Sequence, residues 1–221
     1  MRLMRIGILS DTRLRDGLAA FGPEPAAFFG TVDLIVHAGD VMTVAVLDWL
    51  EQFAPVLCAR GDHDEFADPR VSDILRFERE GWRIGAAHIV EDRRGLPDRI
   101  QRMKLRVYGD TGLQILLAGD TQCERLEYDD RTLLINPGSA MLPHSFSTRL
   151  GSVALLELTP NGAHAEIIRL GESPGLRNPA VVGHIDCDRE RVLSASFDGA
   201  PIEPEGGTIR WPSKAGPSDE F

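Results

Sequence analysis

The chain has 221 residues, with 24 Lys and Arg against 34 Asp and Glu, a formal charge of −10. That length buries a core without disulfide staples, and 43% hydrophobic with 26% charged residues is an ordinary globular composition, which excludes collagen-like, disordered and disulfide-scaffold classes. No apolar run approaches the ~20 residues of a membrane-spanning helix, and an acidic chain without a basic tract is ill suited to gripping a nucleic-acid backbone.

Taken in chain order, Ile6–Leu9 reads as a first buried strand, followed by a short helix over Pro25–Phe29 and a second strand, Leu34–Val36. Thr43 to Phe53 reads as a helix, with Thr43 as N-cap, Val46, Leu47, Leu50 and Phe53 at helical spacing, and Pro55 as the stop. Val56–Ala59 is a third strand. Ile74–Glu78 and Trp82–Ala87 flank Gly81 as a hairpin. Pro97 to Val107 predicts another helix, and Ile115–Ala118 a further strand. Leu133–Ile135 runs into the turn Asn136-Pro137-Gly138, and Val153–Leu158 with Ala163–Arg169 predicts a hairpin about Pro160-Asn161-Gly162.

Residues 171–221 hold 6 of the 14 prolines and 7 of the 22 glycines, so the regular pattern weakens there. One hairpin remains, Arg191–Phe197 with Thr208–Trp211. The expected organisation is a core over 1–170 with a Pro/Gly-rich appendage over 171–221. Strands alternating with helices, then hairpins, predict an α/β chain of mixed or packed sheets with helices outside. Cys58, Cys123 and Cys187 lie far apart without a CxxC pair, which argues against disulfides and zinc thiolates and for the cytoplasm.

Four apolar strands end in the same chemistry: Ser10-Asp11, His37-Ala38-Gly39-Asp40, Gly61-Asp62-His63-Asp64 and Gly119-Asp120-Thr121-Gln122. A fifth run, Ile84 to Ala87, ends at His88. In a parallel sheet the C-terminal strand ends share one edge, where ligands bind. Asp11, Asp40, Asp62, His88 and Asp120 then converge. Carboxylates so gathered raise one another's pKa unless a cation intervenes, and carboxylate with imidazole is a ligand set for a divalent metal.

These motifs, with Asp11-x-Arg13 and Asn136-Pro137-Gly138-Ser139, resemble the calcineurin-like metallophosphoesterases, in particular the small prokaryotic phosphodiesterase class that includes the retromer subunit of the same fold. The resemblance covers about residues 1–170. It implies a four-layer αββα sandwich with a two-metal site at the strand ends. The family pattern reads Asp-x-His, Gly-Asp, Gly-Asn-His/Cys-Asp/Glu, His, Gly-His-x-His. Here Arg13, Asp62, Asp120 and Gln122 depart from it.

By the resemblance, one metal takes Asp11, Arg13, Asp40 and Gln122. Arginine cannot ligate and glutamine ligates weakly, so that site is expected empty or weak, with the Arg13 guanidinium paired to Asp11 and Asp40. The other metal takes Asp40, Asp62, His88 and Asp120. The expectation is therefore a single divalent ion, Mn²⁺ first and Fe²⁺, Zn²⁺ or Mg²⁺ as alternatives. Arg13 supplies the second positive charge and clamps phosphoryl oxygens. His63 contacts phosphate and protonates the leaving group, oriented by Asp64. The expected partner is a small phosphate ester, without membrane or nucleic acid. The rival reading is a catalytically silent member of the fold that binds an unknown protein partner.

Overall fold

The computed structural model describes residues 3–14, 18, 21–90, 100–109, 112–141, 150–171 and 180–211. Two sheets stack face to face. The larger has nine strands in the order β14-β13-β12-β11-β10-β1-β2-β3-β4, and the smaller has five in the order β5-β6-β7-β9-β8. In the nine-stranded sheet, β1 (Met4–Leu9), β2 (Leu34–His37), β3 (Val56–Ala59) and β4 (Val71–Ser72) run parallel. β10 (Ser152–Thr159) and β11 (Gly162–Arg169) form the expected hairpin, and β10 pairs antiparallel to β1.

In the five-stranded sheet, β5 (Leu75–Arg79) and β6 (Trp82–Ala86) are the expected hairpin about Gly81, whose φ is 75°. β7 (Ile115–Leu117) runs parallel to both β6 and β9 (Thr132–Pro137), and β8 (Glu124–Asp129) closes the edge against β9. β8 carries no strand signal in the sequence because Glu124, Arg125, Glu127 and Asp129 crowd it with charge. Only Leu126 and Tyr128 face the core, an alternation that fits an edge strand with one buried face.

Alternation places three apolar layers between four structural ones. Ile6, Ile8, Val36, Leu156 and Ile167 of the large sheet meet Ile84, Ile115, Leu133 and Ile135 of the small one. The other face of the large sheet is covered by α1 (Pro23–Phe29) and α2 (Val44–Glu51), through Phe29, Val46, Leu47 and Leu50. Thr43 is the N-cap of α2 as expected, but its side chain makes no capping hydrogen bond. The outer face of the small sheet is covered by α3 (Ile100–Met103) and the π-helical turn Lys104–Tyr108, which packs Ile100, Met103 and Tyr108 on Leu116 and Leu134. The predicted helix began at Pro97, and 97–99 lie outside the described residues. This is the four-layer αββα arrangement.

The C-terminal strands differ from expectation in their pairing. β13 (Val192–Phe197) pairs with β12 (Ala180–Cys187) and with β14 (Ala200–Pro201), not with Thr208–Trp211. Ile209 instead bridges to Tyr128 of the other sheet. The reason is burial: β12 lies against β11, and Val182, Ile185, Cys187, Ala195, Phe197 and Ile209 all enter the inter-sheet core. Arg189 secures this end. Its guanidinium stacks 4.5 Å from the Trp82 ring and donates to the carbonyls of Pro160, Gly81 and Glu80. No helix among the described residues is long and apolar enough to cross a membrane.

Candidate metal centre

Parallel pairing brings the C-terminal ends of β1, β2, β3, β6, β7 and β9 to one edge, where the two sheets meet. The loops interlock through the backbone: Asp11 N–H donates to Gly39 O, Arg13 N–H to Asp40 O, and Gly119 N–H to His88 O. In three loops the left-handed region recurs with a two-residue step, at Asp11 and Arg13, Asp40 and Met42, and Asp120 and Gln122. Non-glycine residues held there are strained and persist only where surroundings over-determine them. Gly39, at φ 98°, has no room for a side chain, since a Cβ would lie 2.6 Å from His88 Nδ1. At Gly61 a Cβ would lie 2.0 Å from Asp40 N.

Asp11, Asp40 and His88 are all buried, and one ligand atom from each lies within 4.8 Å of the others. Among the described residues this is the one such group of three or more. His88 Nδ1 donates to Ala38 O at 2.8 Å, which fixes the ring and turns Nε2 inward. Nε2 is buried, lies 3.4 Å from Asp40 Oδ1 and makes no hydrogen bond. A buried imidazole nitrogen that makes no hydrogen bond and faces two buried carboxylates fits a divalent cation.

Asp40 is the hub. Its Oδ2 lies 2.6 Å from Arg13 Nη2 and 2.8 Å from His63 Nδ1, and its Oδ1 accepts His63 N–H at 3.0 Å. Arg13 Nη2 also reaches Asp11 Oδ1 at 3.4 Å. Burial alone would raise the Asp40 pKa, but the interactions with His88 and His63 outweigh it and hold the carboxylate well below its usual range. Asp11 goes the other way: burial raises it, and the Ser10 hydroxyl, donating at 2.7 Å, and His88 only partly compensate. His88 is raised because Asp40 and Asp11 outweigh its burial.

The expected residues separate into three groups. Asp11, Asp40 and His88 form the compact cluster, with Arg13 and His63 attached through Asp40. Asp62 is exposed and Asp120 half-buried, and neither belongs to the cluster; Gln122 is half-buried. Asp64 is placed differently from its expected role. The His63 ring turns to Asp40, while the buried Asp64 carboxylate accepts the backbone N–H groups of Asp40 (3.1 Å), Met42 (2.8 Å) and Gly61 (2.8 Å). It ties the third loop to the second.

The sequence pattern gives no role to Ser10, Thr12 or Ser139. Ser139 Oγ donates to Asp11 O at 2.8 Å, and Asn136 Nδ2 donates to Gly119 O at 2.8 Å, so the Asn-Pro-Gly-Ser turn latches two site loops. The position of Ser10, one residue before the first aspartate of an apolar strand, was the available signal.

Such a fold and cluster are of the metallophosphoesterase class, and the chain belongs to the calcineurin-like phosphoesterase superfamily, whose domain matches residues 4–161. A probable metallophosphoesterase of Methanothermobacter thermautotrophicus is 31% identical over 168 residues, 76% of this chain and 94% of its own. Among solved structures, Entamoeba histolytica Vps29 complexed with zinc superposes with TM-score 0.63 at 18% identity, over 85% of this chain and 100% of that one. A novel archaeal phosphodiesterase superposes with TM-score 0.51 at 19% identity, over 69% and 93%. At these identities the structures establish the fold alone.

Proposed function

We propose that this protein is a metal-dependent phosphoesterase, cleaving a phosphomonoester or phosphodiester with a single divalent ion. Asp40 and His88 would hold it beside Asp11, with Asp62 and Asp120 on the adjoining loops as further ligands. The observation that carries this reading is the buried His88 Nε2, which makes no hydrogen bond and faces Asp40 inside the Asp11–Asp40–His88 cluster, at an Asp40 that also holds Arg13. We propose Mn²⁺ on the mixed carboxylate and imidazole donor set. The family and the relative named a probable metallophosphoesterase support the activity. The zinc complex of Vps29 supports a divalent ion.

The ion would supply Lewis-acid polarisation of a phosphoryl oxygen and activation of a water nucleophile. The rest falls to the chain. Arg13, already fixed on Asp40, presents a delocalised cation to phosphoryl oxygens in place of a second ion. Asp40 holds the His63 Nδ1 proton, which leaves Nε2, on a side chain 48% exposed, to carry a proton to the leaving oxygen. Asp64 keeps the loops of His63 and Asp40 in register. We further propose that residues 1–170 are the family portion and 171–221 an extension built onto its sheet.

A second reading has its own observation. Arg13 and His63 already satisfy Asp40 Oδ2, so the cluster is partly neutralised by the chain itself. The Vps29 neighbours, one of them solved with a cyclic peptide, are compatible with a binding module. Phosphomonoesterase and phosphodiesterase assays across Mn²⁺, Mg²⁺, Fe²⁺ and Zn²⁺ separate the two. Turnover that Asp40→Ala and His63→Ala abolish supports the enzyme. No turnover with any metal, together with a stable protein partner, supports the module.

A further inference from the structure

His37 is fully buried at the end of β2, between Leu9 of β1 and Cys58 of β3. Its strand neighbours Ile35 and Val36 are aliphatic, and an apolar side chain would fill the place without the cost of burying an imidazole. Both ring nitrogens are nonetheless used, and by atoms of the two loops that carry the buried carboxylates. Gly39 N–H donates to Nδ1 at 3.1 Å, so the ring proton sits on Nε2, which lies 3.1 Å from Thr12 Oγ1. The Thr12 hydroxyl in turn donates to Val41 O at 3.4 Å.

Followed in order, Gly39 N–H gives to His37, His37 to Thr12 and Thr12 to Val41 O. The donors run one way around a circuit that starts one residue before Asp40 and ends one residue after it. Its middle member, Thr12, lies between Asp11 and Arg13. Gly39, Asp40, Asp11 and Arg13 all have positive φ, at 98°, 59°, 51° and 47°. Such conformations need outside support, and the circuit touches the backbone on both sides of Asp40.

We infer that His37 is a positioning residue that, through Thr12 and Gly39, fixes the separation and orientation of the Asp11 and Asp40 carboxylates for the cation. The inference rests on the metal-site reading above and extends it to a residue outside the ligand set.

The test uses the full chain and four variants: His37→Phe, which breaks both arms; His37→Asn, which keeps the acceptor for Gly39; Thr12→Val; and the double variant of His37→Phe with Thr12→Val. Mn²⁺ affinity is measured by titration calorimetry. Loss of outer supports of a metal ligand typically weakens binding about 10–100-fold. His37→Phe and Thr12→Val are expected in that range, His37→Asn between them and the parent, and the double variant no weaker than the weaker single. Arg189→Ala, remote from the site, should lower the melting temperature without moving Mn²⁺ affinity. In the metal-free parent, imidazole ¹⁵N shifts should report the Nε2–H tautomer for His37, and the Gly39 amide should lose exchange protection in His37→Phe. Wild-type affinity in His37→Phe, additive losses in the double variant, or an Nδ1–H tautomer each overturn the inference. If the parent binds no divalent ion, the metal-site reading fails, and the tautomer and Gly39 exchange, which need no metal, decide the role of His37.

Discussion

Arg13 Nη2 lies 2.6 Å from Asp40 Oδ2. A guanidinium thus sits on the carboxylate that, in the family pattern, bridges two metals, at the position where that pattern has a histidine. Arginine offers five donors and no lone pair, so Arg13 can neutralise Asp40 and clamp phosphate but cannot ligate. This contact sets the expected metal content.

Arg13→His combined with Gln122→His should restore the missing ligands of the first metal site and raise bound Mn²⁺ from one equivalent to two, by elemental analysis of the purified protein. Arg13→Ala alone should keep one equivalent and lower phosphoesterase kcat/KM by about 100-fold, the usual loss on removing a preorganised donor. Two equivalents in the unaltered chain would sink the single-ion reading.

Gly61→Ala should dismantle the site. The added Cβ would sit 2.0 Å from Asp40 N and 2.3 Å from Asp40 Oδ1, both fixed atoms of the hub. Overpacking of this kind costs about 1–3 kcal/mol. The expected result is a lowered melting temperature together with loss of Mn²⁺ binding. Retention of metal affinity by this variant would show that the Gly61 loop does not abut Asp40.

A pH-dependent stabilisation is built into β11 and β12. His164 has Nε2 3.1 Å from Glu166 Oε1 and Nδ1 2.6 Å from Asp186 Oδ1. Glu166 contributes most, burial opposes it and Asp186 adds, so the imidazole is raised from 6.5 to about 9. A pKa raised on folding stabilises fully below the unfolded value and loses that contribution as pH rises through the folded one. The stability gap between the parent and His164→Gln should therefore be widest below 6.5 and shrink as pH approaches about 9. Denaturant midpoints across that range measure it; a gap that widens with pH contradicts the assignment.

Arg189→Ala removes the stack on Trp82 and the hydrogen bonds to three turn carbonyls. The expected loss is about 2 kcal/mol, or a melting temperature about 4–8 °C lower for a chain of this size. Ending the chain at residue 171 should be more damaging, because it strips β12 and β13 from β11 and opens the inter-sheet core at Ala165 and Ile167. A truncated chain as stable as the parent would show that 171–221 is dispensable to the core.

The sequence alone determined the strand ends. Runs such as Ile6–Leu9 and Leu34–Val36, each closed by an aspartate, announce buried parallel strands because only such strands are apolar on both faces, and parallel strands must deliver their ends to one edge. Asp11, Asp40 and His88 were legible for that reason, and Arg13 and His63 through the resemblance to the family pattern. Distance was not. Whether Asp62 and Asp120 join the cluster depends on side-chain direction in the loops, for Asp120 at a left-handed residue, which no periodicity encodes. The same holds for Asp64, which caps three backbone amides from two loops, and for His37, whose role appears only when Thr12, Gly39 and Val41 stand around one ring. β12 is hidden in the sequence because a bulge breaks its pattern. Local pattern fixes which residues are buried; their hydrogen-bond partners come from segments remote in the chain, and only packing chooses among them.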